Sequence, residues 1–394
     1  MKILILHTQY QQPGGEDQSF FSEATLLRER GHAVHNLIFQ NRNMNSMAPW
    51  HQAWITLWNQ EAYRRTRAAI RNLRPRILHI NNTFPLASPG VIHAAKAEGV
   101  PVVMSLRNYR LLCVNGLFFR NGRPCEACME HLPWLGALHG CYRNSRTAST
   151  VVAGMLALHR SVGTWHLVDS YITLTEFARQ KFLRAGFPSE KVVVKPNFIH
   201  RDPGPGDGRG GYALFVGRIS AEKGIATLLA SWNIQGQRVP LKIVGDGPMR
   251  AEVKRATNNS SSKVEYLGSK SPEDVSVLMS RAAFLIFPST CYETFGRVAM
   301  EAFATGTPVL AANIGAIAEI TDNGRTGLHF RPGDPSDLAA KVDWLLSHPE
   351  KLAHMRKEAR REYELKYTAE RNYEILMGIY NNVTRNASRI TYHV

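Results

Sequence analysis

Short apolar runs alternate along this chain with longer segments in which apolar residues recur at helical spacing. Apolar runs of this length suit buried strands, and the longer segments suit helices that cover a sheet. In Asp17–Arg30, for example, Phe20, Ala24 and Leu27 fall on one helical face. The alternation predicts βα units and parallel sheets, and therefore a doubly wound α/β fold.

The alternation occurs twice. The strands predicted in the first half are Ile3–His7, Ala33–Phe39, Ile77–Asn81, Val102–Leu106, Tyr171–Leu174 and Val192–Lys195. Those predicted in the second half are Tyr212–Val216, Leu241–Val244, Val264–Leu267, Phe284–Phe287 and Val309–Ala311. Between them, 198–211 is rich in Pro and Gly without apolar periodicity, which predicts a linker. We expect an N-terminal domain of residues 1–197 and a C-terminal domain of 212–368. A last helix at about 369–394 could return to the N-terminal domain.

Positive charge is concentrated in the first half. Of 394 residues, 1–200 hold 23 Lys and Arg against 11 Asp and Glu, whereas 201–394 hold 25 against 21. A basic half suggests an anionic partner. This partner could be nucleic acid, a membrane surface or a diphosphate-bearing lipid, because all three carry negative charge. No apolar run reaches the length of a membrane span, and the start lacks a signal-peptide cleavage site, so we expect a cytoplasmic protein.

The first strong motif, GRISAEKG, runs from Gly217 to Gly224, directly after a predicted strand. Arg218 offers a bidentate fork and Lys223 a point charge, and amides at a helix start add donors. This combination suits a diphosphate. The alternative is a solvated turn that carries two incidental cations.

The second motif, ETFGRVAME, follows the predicted strand Phe284–Phe287. Its two carboxylates, Glu293 and Glu301, would lie about 80° apart on a helix. A carboxylate in this position can accept hydrogen bonds from ribose hydroxyls, as in dinucleotide folds. Thr294, Phe295 and Gly296 would offer backbone amides at the helix start. The alternative is a pair of ordinary surface acids.

In this order and at this separation, the two motifs resemble the donor site of the retaining GT-B glycosyltransferases of family four, also called glycosyl transferases group 1. Further matching segments are Pro13–Glu16, Pro196-Asn197, Gly245–Pro248 and Pro308–Ala311. The resemblance covers nearly the whole chain. It implies two Rossmann-like domains that face a central cleft, with the nucleotide-sugar held mainly by the C-terminal one.

The resemblance also implies a role for each matching residue. Arg218 and Lys223 would hold the donor diphosphate, Glu301 the ribose, and Glu293 would lie near the sugar and the diphosphate. Gly14 and Gly15 would let the backbone approach the diphosphate. Glu16 and Arg107 are expected on the acceptor or sugar side. Family members commonly have a His where this chain has Arg107, and Arg cannot act as a base at neutral pH.

The expected chemistry needs no catalytic cofactor. The chain has no D-x-D motif to bridge a divalent metal to the donor, so Arg218, Lys223 and helix amides would stabilise the leaving nucleoside diphosphate. The resemblance implies retention of configuration, with the leaving phosphate oxygen as proton acceptor. The donor is expected to be a UDP- or GDP-sugar.

Four of the five cysteines lie between Arg107 and Arg146, a segment that looks like a long loop. The spacing of Cys113, Cys125, Cys128 and Cys141 predicts a structural zinc site, with His131 and His139 as substitute ligands. Four ordinary thiols are the alternative.

The segment from Trp50 to Arg76 combines tryptophans at helical spacing, Trp50, Trp54 and Trp58, with the arginines Arg64, Arg65, Arg67, Arg71, Arg74 and Arg76. It suits peripheral contact with an anionic membrane, at the inner face. The alternative is a helix packed through its tryptophans with solvated arginines beyond.

Together these observations predict transfer of a sugar to a hydroxyl acceptor, expected to be a lipid-linked saccharide of cell-surface polysaccharide synthesis. A GT-B-shaped sugar-nucleotide epimerase is the alternative enzyme. A nucleic-acid-binding protein is the alternative outside enzymes, but no nucleic-acid-binding motif supports it.

Overall fold

Parallel β-strands form the centre of each half of the protein. The structure is a computed structural model, and it describes residues 1–11, 14–130, 133–234, 239–257 and 263–391. The strands are β1 (Lys2–Gln9), β2 (Ala33–Gln40), β3 (Ile77–Asn82), β4 (Val102–Ser105), β5 (Phe119–Arg120), β6 (Arg123–Pro124), β7 (Ser170–Thr173), β8 (Val192–Val194), β9 (Ala213–Val216), β10 (Leu241–Val244), β11 (Val264–Gly268), β12 (Phe284–Phe287), β13 (Val309–Ala312) and β14 (Gly327–Phe330).

Helices connect these strands. They are α1 (Gly15–Glu29), α2 (Pro49–Leu57), α3 (Gln60–Leu73), α4 (Gly90–Ala97), α5 (Ala127–Glu130), α6 (Trp134–Leu138), α7 (Arg146–Ser161), α8 (Glu176–Arg184), α9 (Ile225–Ile234), α10 (Arg250–Thr257), α11 (Pro272–Arg281), α12 (Arg297–Ala304), α13 (Gly315–Ile320), α14 (Pro335–Ser347), α15 (Pro349–Lys366) and α16 (Ala369–Thr391). In the described part of the chain, none of them combines the length and apolarity needed to cross a bilayer.

The described residues divide into two compact units. The first comprises Met1–Phe118, Glu126–Pro196 and helix α16, and the second comprises Phe119–Cys125 and Asn197–Thr368. Each contains a six-stranded parallel sheet, so the predicted α/β fold of two doubly wound, Rossmann-like units is confirmed.

The first unit has the strand order β2-β1-β3-β4-β7-β8. Its strands are apolar on both faces because helices cover both sides: Ile3, Leu4, Ile5 and Leu6 in β1 are all at most 1% exposed. Helix α16 packs an apolar face into the same core, beside β1 and α1. The last helix of the chain therefore belongs to the first unit.

The second unit has the order β11-β10-β9-β12-β13-β14, in which β9 and β12 lie at the centre. The chain moves outward from β9 through β10 to β11, and then crosses back to β12. The order reverses between β9 and β12, and open α/β sheets bind ligands at the carboxyl ends of the strands at this point. All five strands predicted in this half are present, and β14 was missed.

The Pro- and Gly-rich stretch 198–211 is part of the second unit and is held to the rest of it by backbone hydrogen bonds. The amides of Gly206, Gly208 and Gly210 donate to the carbonyls of Thr305, Ser280 and Arg281, at 2.9, 3.0 and 2.8 Å. A Cβ on Gly206 would lie 2.1 Å from the carbonyl oxygen of Ser280, so this close approach requires glycine. The domain boundaries expected on either side of this stretch stay a prediction.

The segment from Arg107 to Arg146 also contains more regular structure than a long loop would. The antiparallel hairpin of β5 and β6 and the short helices α5 and α6 lie within it. None of these was predicted, because two-residue strands and four- or five-residue helices are too short to show periodicity.

A buried carboxylate holds several elements of the first unit together. Glu23 on α1 is fully buried and lies 2.7 Å from Lys195 Nζ, 3.1 Å from His79 Nδ1 and 3.8 Å from an Arg107 nitrogen. His79 Nδ1 also lies 2.7 Å from the Tyr380 hydroxyl on α16. Burial alone would raise the pKa of Glu23, but Lys195, His79 and Arg107 hold that pKa well below its usual value.

We predict that Glu23→Gln loosens the first unit selectively. The substitution leaves Lys195 and Arg107 buried without their carboxylate, and breaking a buried ion pair in this way costs about 3–5 kcal/mol. Hydrogen exchange measured by mass spectrometry should then show faster exchange in α1 and α16. Exchange in the second unit is the internal control and should not change.

Glu29→Gln, at the exposed end of α1, is the matched variant and should leave protection from exchange unchanged.

Lowering the pH should have the same effect on exchange as Glu23→Gln. The pKa of Glu23 is depressed in the folded protein. The ionised carboxylate therefore stabilises the fold fully above the ordinary carboxyl pKa, and this stabilisation is lost as the pH falls through the lowered pKa. Unaltered protection of α1 and α16 in Glu23→Gln would contradict the role of the network.

Candidate active site

Three loops of the second unit approach one another closely at the carboxyl edge of its sheet. They follow β9, β10 and β12. A Cβ on Gly245 would lie 1.9 Å from the Gly217 carbonyl oxygen, and one on Gly224 would lie 1.8 Å from that of Pro288. The Thr290 amide also donates to the Glu222 carbonyl at 2.9 Å. Glycines therefore allow the backbones to meet, and both predicted motifs lie in these loops.

Lys223 and Glu293, one from each motif, form an ion pair. Lys223 Nζ lies 2.5 Å from Glu293 Oε1, and the Ser289 hydroxyl donates to the same oxygen at 2.8 Å. The Lys223 side chain is 27% exposed and that of Glu293 is 15% exposed. Burial opposes the charge of Lys223, but the Glu293 carboxylate outweighs it and raises the pKa of Lys223 above its usual value. The ammonium is therefore held charged at the edge of the sheet.

Arg218 differs from Lys223 in its surroundings. It is exposed, and within the described parts of the chain its side chain has no hydrogen-bond or ion-pair partner. A guanidinium in this state can donate to an incoming anion without breaking an existing contact. Arg218 thus remains available to an anion in the described structure, whereas Lys223 shares a carboxylate.

Helix α12 begins beside this pair. Its N-cap is Gly296, in the left-handed region at φ 91°, and no side chain caps the helix. The amides at the start of a helix point toward an anion bound there, although the Ala299 amide already donates to the Gly296 carbonyl at 2.9 Å. Phe295 is buried and anchors the turn, with its ring centroid 5.8 Å from that of Tyr367. Thr294 lies in the same turn.

Glu301 is part of an i,i+4 pair on α12. Arg297 Nε donates to Glu301 Oε1 at 2.8 Å, and no described residue donates a hydrogen bond to Glu301 Oε2. The carboxylate is 29% exposed, so one oxygen remains available as an acceptor. The sequence did not single out Arg297 or Ser289, although Arg297 is four residues before Glu301, the spacing of helical ion pairs.

The predicted residues of the first unit lie after β1 and β4. Gly14 is the N-cap of α1, which begins at Gly15, and the backbone of Gly14 is extended. Among the described residues, no atom lies within 4 Å of a Cβ placed on Gly14, so their packing does not require glycine there. Pro13, in the same motif, lies outside the described residues.

Glu16 lies in a polar cluster that the sequence did not reveal. The Tyr10 hydroxyl donates to Glu16 Oε2 at 3.0 Å, and Asn108 Nδ2 donates to Oε1 at 2.9 Å. The position of Asn108 directly after Arg107, past the end of β4, was the available signal. Arg107 itself is only 6% exposed, and its Nε donates to Asn81 Oδ1 at 2.8 Å. Its side chain thus belongs to the buried Glu23 network, and a role on the sugar side stays a prediction.

The four clustered cysteines do not form a zinc site among the described residues. No group of three or more His, Cys, Asp or Glu side chains there could hold a metal ion, and all five cysteines are free thiols. Burial, together with the neighbouring thiols of Cys113 and Cys141, raises the pKa of Cys128 to about 11, so without a metal ion this thiol stays protonated. His131, a proposed substitute ligand, lies outside the described residues.

Two doubly wound units define the GT-B class of fold. The solved structure of Anabaena HepE in complex with UDP-glucose aligns with a TM-score of 0.65 at 18% identity, over 99% of this chain and 100% of that one. Residues 14–197 match a family model described as a glycosyl transferase 4-like domain, and residues 199–362 match glycosyl transferases group 1. The chain belongs to the group 1 glycosyltransferases.

Relatives in sequence share part of their length with this chain. An uncharacterized glycosyltransferase of Methanocaldococcus jannaschii is 30% identical over 48% of this chain and 52% of its own length. The D-rhamnosyltransferase WbpZ of Pseudomonas aeruginosa is 33% identical over 40% of this chain and 42% of its own length. The matched regions thus span about half of these relatives or less.

We predict that Glu293→Gln lowers the pKa of Lys223. Without the carboxylate, burial is the main remaining influence on the ammonium, and burial lowers a lysine pKa. The pH dependence of acetylation at Lys223, followed by peptide mass spectrometry, should move to lower pH. Glu301→Gln removes a carboxylate that does not contact Lys223 and should leave the profile unchanged. Identical profiles in wild type and Glu293→Gln would rule out the coupling.

Proposed function

We propose that this protein is a retaining glycosyltransferase that moves a sugar from a nucleoside-diphosphate sugar to a hydroxyl acceptor. The observation that carries the proposal is the set of groups at the centre of the second sheet. Three groups lie on loops that follow the two central strands: Arg218, which has no side-chain partner among the described residues, a charged Lys223 and the start of α12. This is an arrangement for a diphosphate.

Each group has a role in this proposal. Arg218 and Lys223 stabilise negative charge on the leaving nucleoside diphosphate, and the first amides of α12 add donors. Glu293 orients Lys223 and keeps it charged before the donor arrives. The free oxygen of Glu301 accepts a hydrogen bond from a ribose hydroxyl.

Catalysis in this proposal depends on fixed cations rather than on a divalent metal. The sequence has no D-x-D motif, and Arg218 and Lys223 supply positive charge where the leaving group develops its negative charge. The leaving phosphate oxygen takes the proton of the incoming hydroxyl, which then attacks the face that the phosphate vacates. No protein nucleophile is required, and the configuration is retained.

The donor in this proposal is a UDP- or GDP-sugar. The solved structure of HepE with UDP-glucose, which has the same fold, supports a UDP-sugar as the first to test. A thermal-shift screen of nucleoside diphosphates tests which nucleotide binds, because a ligand that binds the native state raises the melting temperature by mass action.

The acceptor in this proposal is a lipid-linked saccharide at the inner face of a membrane, in the synthesis of a surface polysaccharide. The positive excess of residues 1–200 supports an anionic acceptor or surface. Glu16, held by Tyr10 and Asn108 after the first strand, is the group proposed to contact the acceptor or the sugar. Gly14 and Gly15, at the start of α1, leave space for the donor diphosphate.

We predict that Arg218→Ala and Lys223→Ala each cost about 2–4 kcal/mol of transition-state stabilisation, the range for removal of one preorganised charge-stabilising donor. Steady-state kinetics with a UDP-sugar should show the loss in kcat/KM. Arg255→Ala is the matched control, because Arg255 is an exposed cation on α10, outside both motifs in sequence and paired with Glu252. Turnover of this variant should equal that of wild type. Wild-type turnover in Arg218→Ala and Lys223→Ala would disprove the assignment of the diphosphate site.

We predict that transfer survives chelation of divalent metals. Turnover in EDTA should match turnover in magnesium or manganese, because the cations that stabilise the leaving group belong to the chain. Loss of activity in EDTA that magnesium restores would contradict a metal-independent mechanism. Product stereochemistry, read from the anomeric coupling constant by NMR, tests retention separately.

A further inference from the structure

Three helices of the first unit each expose a pair of apolar side chains. Within each pair the residues are four apart, so both lie on the same side of the helix. The pairs are Trp50 and Trp54 on α2, Trp134 and Leu138 on α6, and Leu158 with Val162 at the end of α7. Trp50 is 75% exposed and Trp54 is 64% exposed, which is unusual for the side chain with the largest apolar area.

The three helices pack against one another on their inner sides. His159 Nε2 on α7 lies 2.9 Å from the Leu57 carbonyl oxygen at the end of α2. Leu57 also lies against Gly154 of α7, where an added Cβ would be 3.7 Å from Cδ2 of Leu57. Leu135 and Ala137 of α6 pack on a buried cluster to which α7 contributes four residues, Val152, Ala153, Met155 and Leu156. The outward pairs thus belong to one block of structure, which we call the α2-α6-α7 face.

The α2-α6-α7 face has no acidic residues. The sequence contains no Asp or Glu in 31–60 or in 131–168, the two stretches that supply these helices. Arg143 and Arg146, just before and at the start of α7, are exposed. A block of helices that carries exposed tryptophans and cations but no acids matches the interface of an anionic bilayer, where Trp rings lie at headgroup depth.

The arginines of α3 are less suited to this role than their number suggests. Arg67 and Arg71 both pair with Glu98, at 2.6 and 3.0 Å, and Arg65 lies 3.9 Å from Glu61. A cation that already shares a carboxylate gains less from an anionic surface. The α2-α6-α7 face, rather than the arginines of α3, is therefore the stronger candidate for membrane contact.

We propose that the α2-α6-α7 face rests in the interface of an anionic membrane, with Trp50 and Trp54 as the main anchors. A second copy of the chain is a poorer occupant, because a two-fold contact would place the same cation-bearing, acid-free surface against itself. The proposal extends the proposed function, since it brings the enzyme to the surface where a lipid-linked acceptor would lie. The binding itself does not depend on that activity.

The test is vesicle binding by the double variant Trp50→Ser, Trp54→Ser. Wild-type protein should sediment with vesicles of phosphatidylcholine and 30% phosphatidylglycerol, and brominated lipids should quench its tryptophan fluorescence. Much less should bind vesicles of phosphatidylcholine alone. The double variant should bind the anionic vesicles at least roughly tenfold more weakly, because two large apolar side chains no longer enter the interface.

Val277→Ser is the matched control, since Val277 is 59% exposed on α11 of the second unit, and its binding should equal that of wild type. Vesicle binding by the double variant equal to that of wild type would overturn the proposal. Light scattering that shows a dimeric wild type and a monomeric double variant would also overturn the proposal.

Nucleotide binding separates this proposal from the proposed function. The double variant should show the same thermal shift with UDP as wild type, because the substitutions leave the second unit intact. If wild type binds vesicles but no nucleoside diphosphate, the membrane proposal stands and the proposed function fails. If wild type binds nucleotide but not anionic vesicles, the membrane proposal fails alone.

Discussion

The close approach of backbones at the carboxyl edge of the second sheet is the constraint on which the candidate site depends. Gly245 meets the Gly217 carbonyl, and Gly224 meets that of Pro288, at separations that leave no room for a Cβ. Because the loops after β9, β10 and β12 are in contact, a lysine on one loop can pair with a carboxylate on another 70 residues later. Larger side chains at these glycines would separate the loops and the charges they carry.

The two units differ in how their charged side chains are paired. In the first, the buried carboxylate of Glu23 is shared by Lys195, His79 and Arg107, and His79 extends this network to Tyr380 on α16. In the second, Arg218 remains unpaired in the described structure and Lys223 shares one oxygen of Glu293. Internal pairing suits stability, whereas an exposed cation suits an anionic ligand, and the latter arrangement is the one expected of a group 1 glycosyltransferase at its donor.

Some elements of the fold could not be read from local pattern. Strand β14 was missed because Gly327-Leu-His-Phe330 contains a glycine and a histidine, which weaken a strand signal. A Cβ on Gly327 would lie 1.9 Å from the Val309 carbonyl oxygen, so pairing with β13 explains the glycine. Similarly, Arg107 resembled a site residue by its position after β4, but only three-dimensional packing revealed its contact with Asn81 and burial near Glu23.

The sequence by itself determined the two doubly wound units, eleven of the twelve strands in their sheets to within a residue or two, and the strand ends where Arg218, Lys223, Glu293 and Glu301 lie. It could do so because apolar periodicity and glycine-bounded motifs are local properties of the chain. Only the tertiary structure decided which charges are paired, that Asn108 joins Glu16, and that the clustered cysteines offer zinc no ligand set among the described residues. Those outcomes depend on distances between residues far apart in sequence, and chain folding sets these distances.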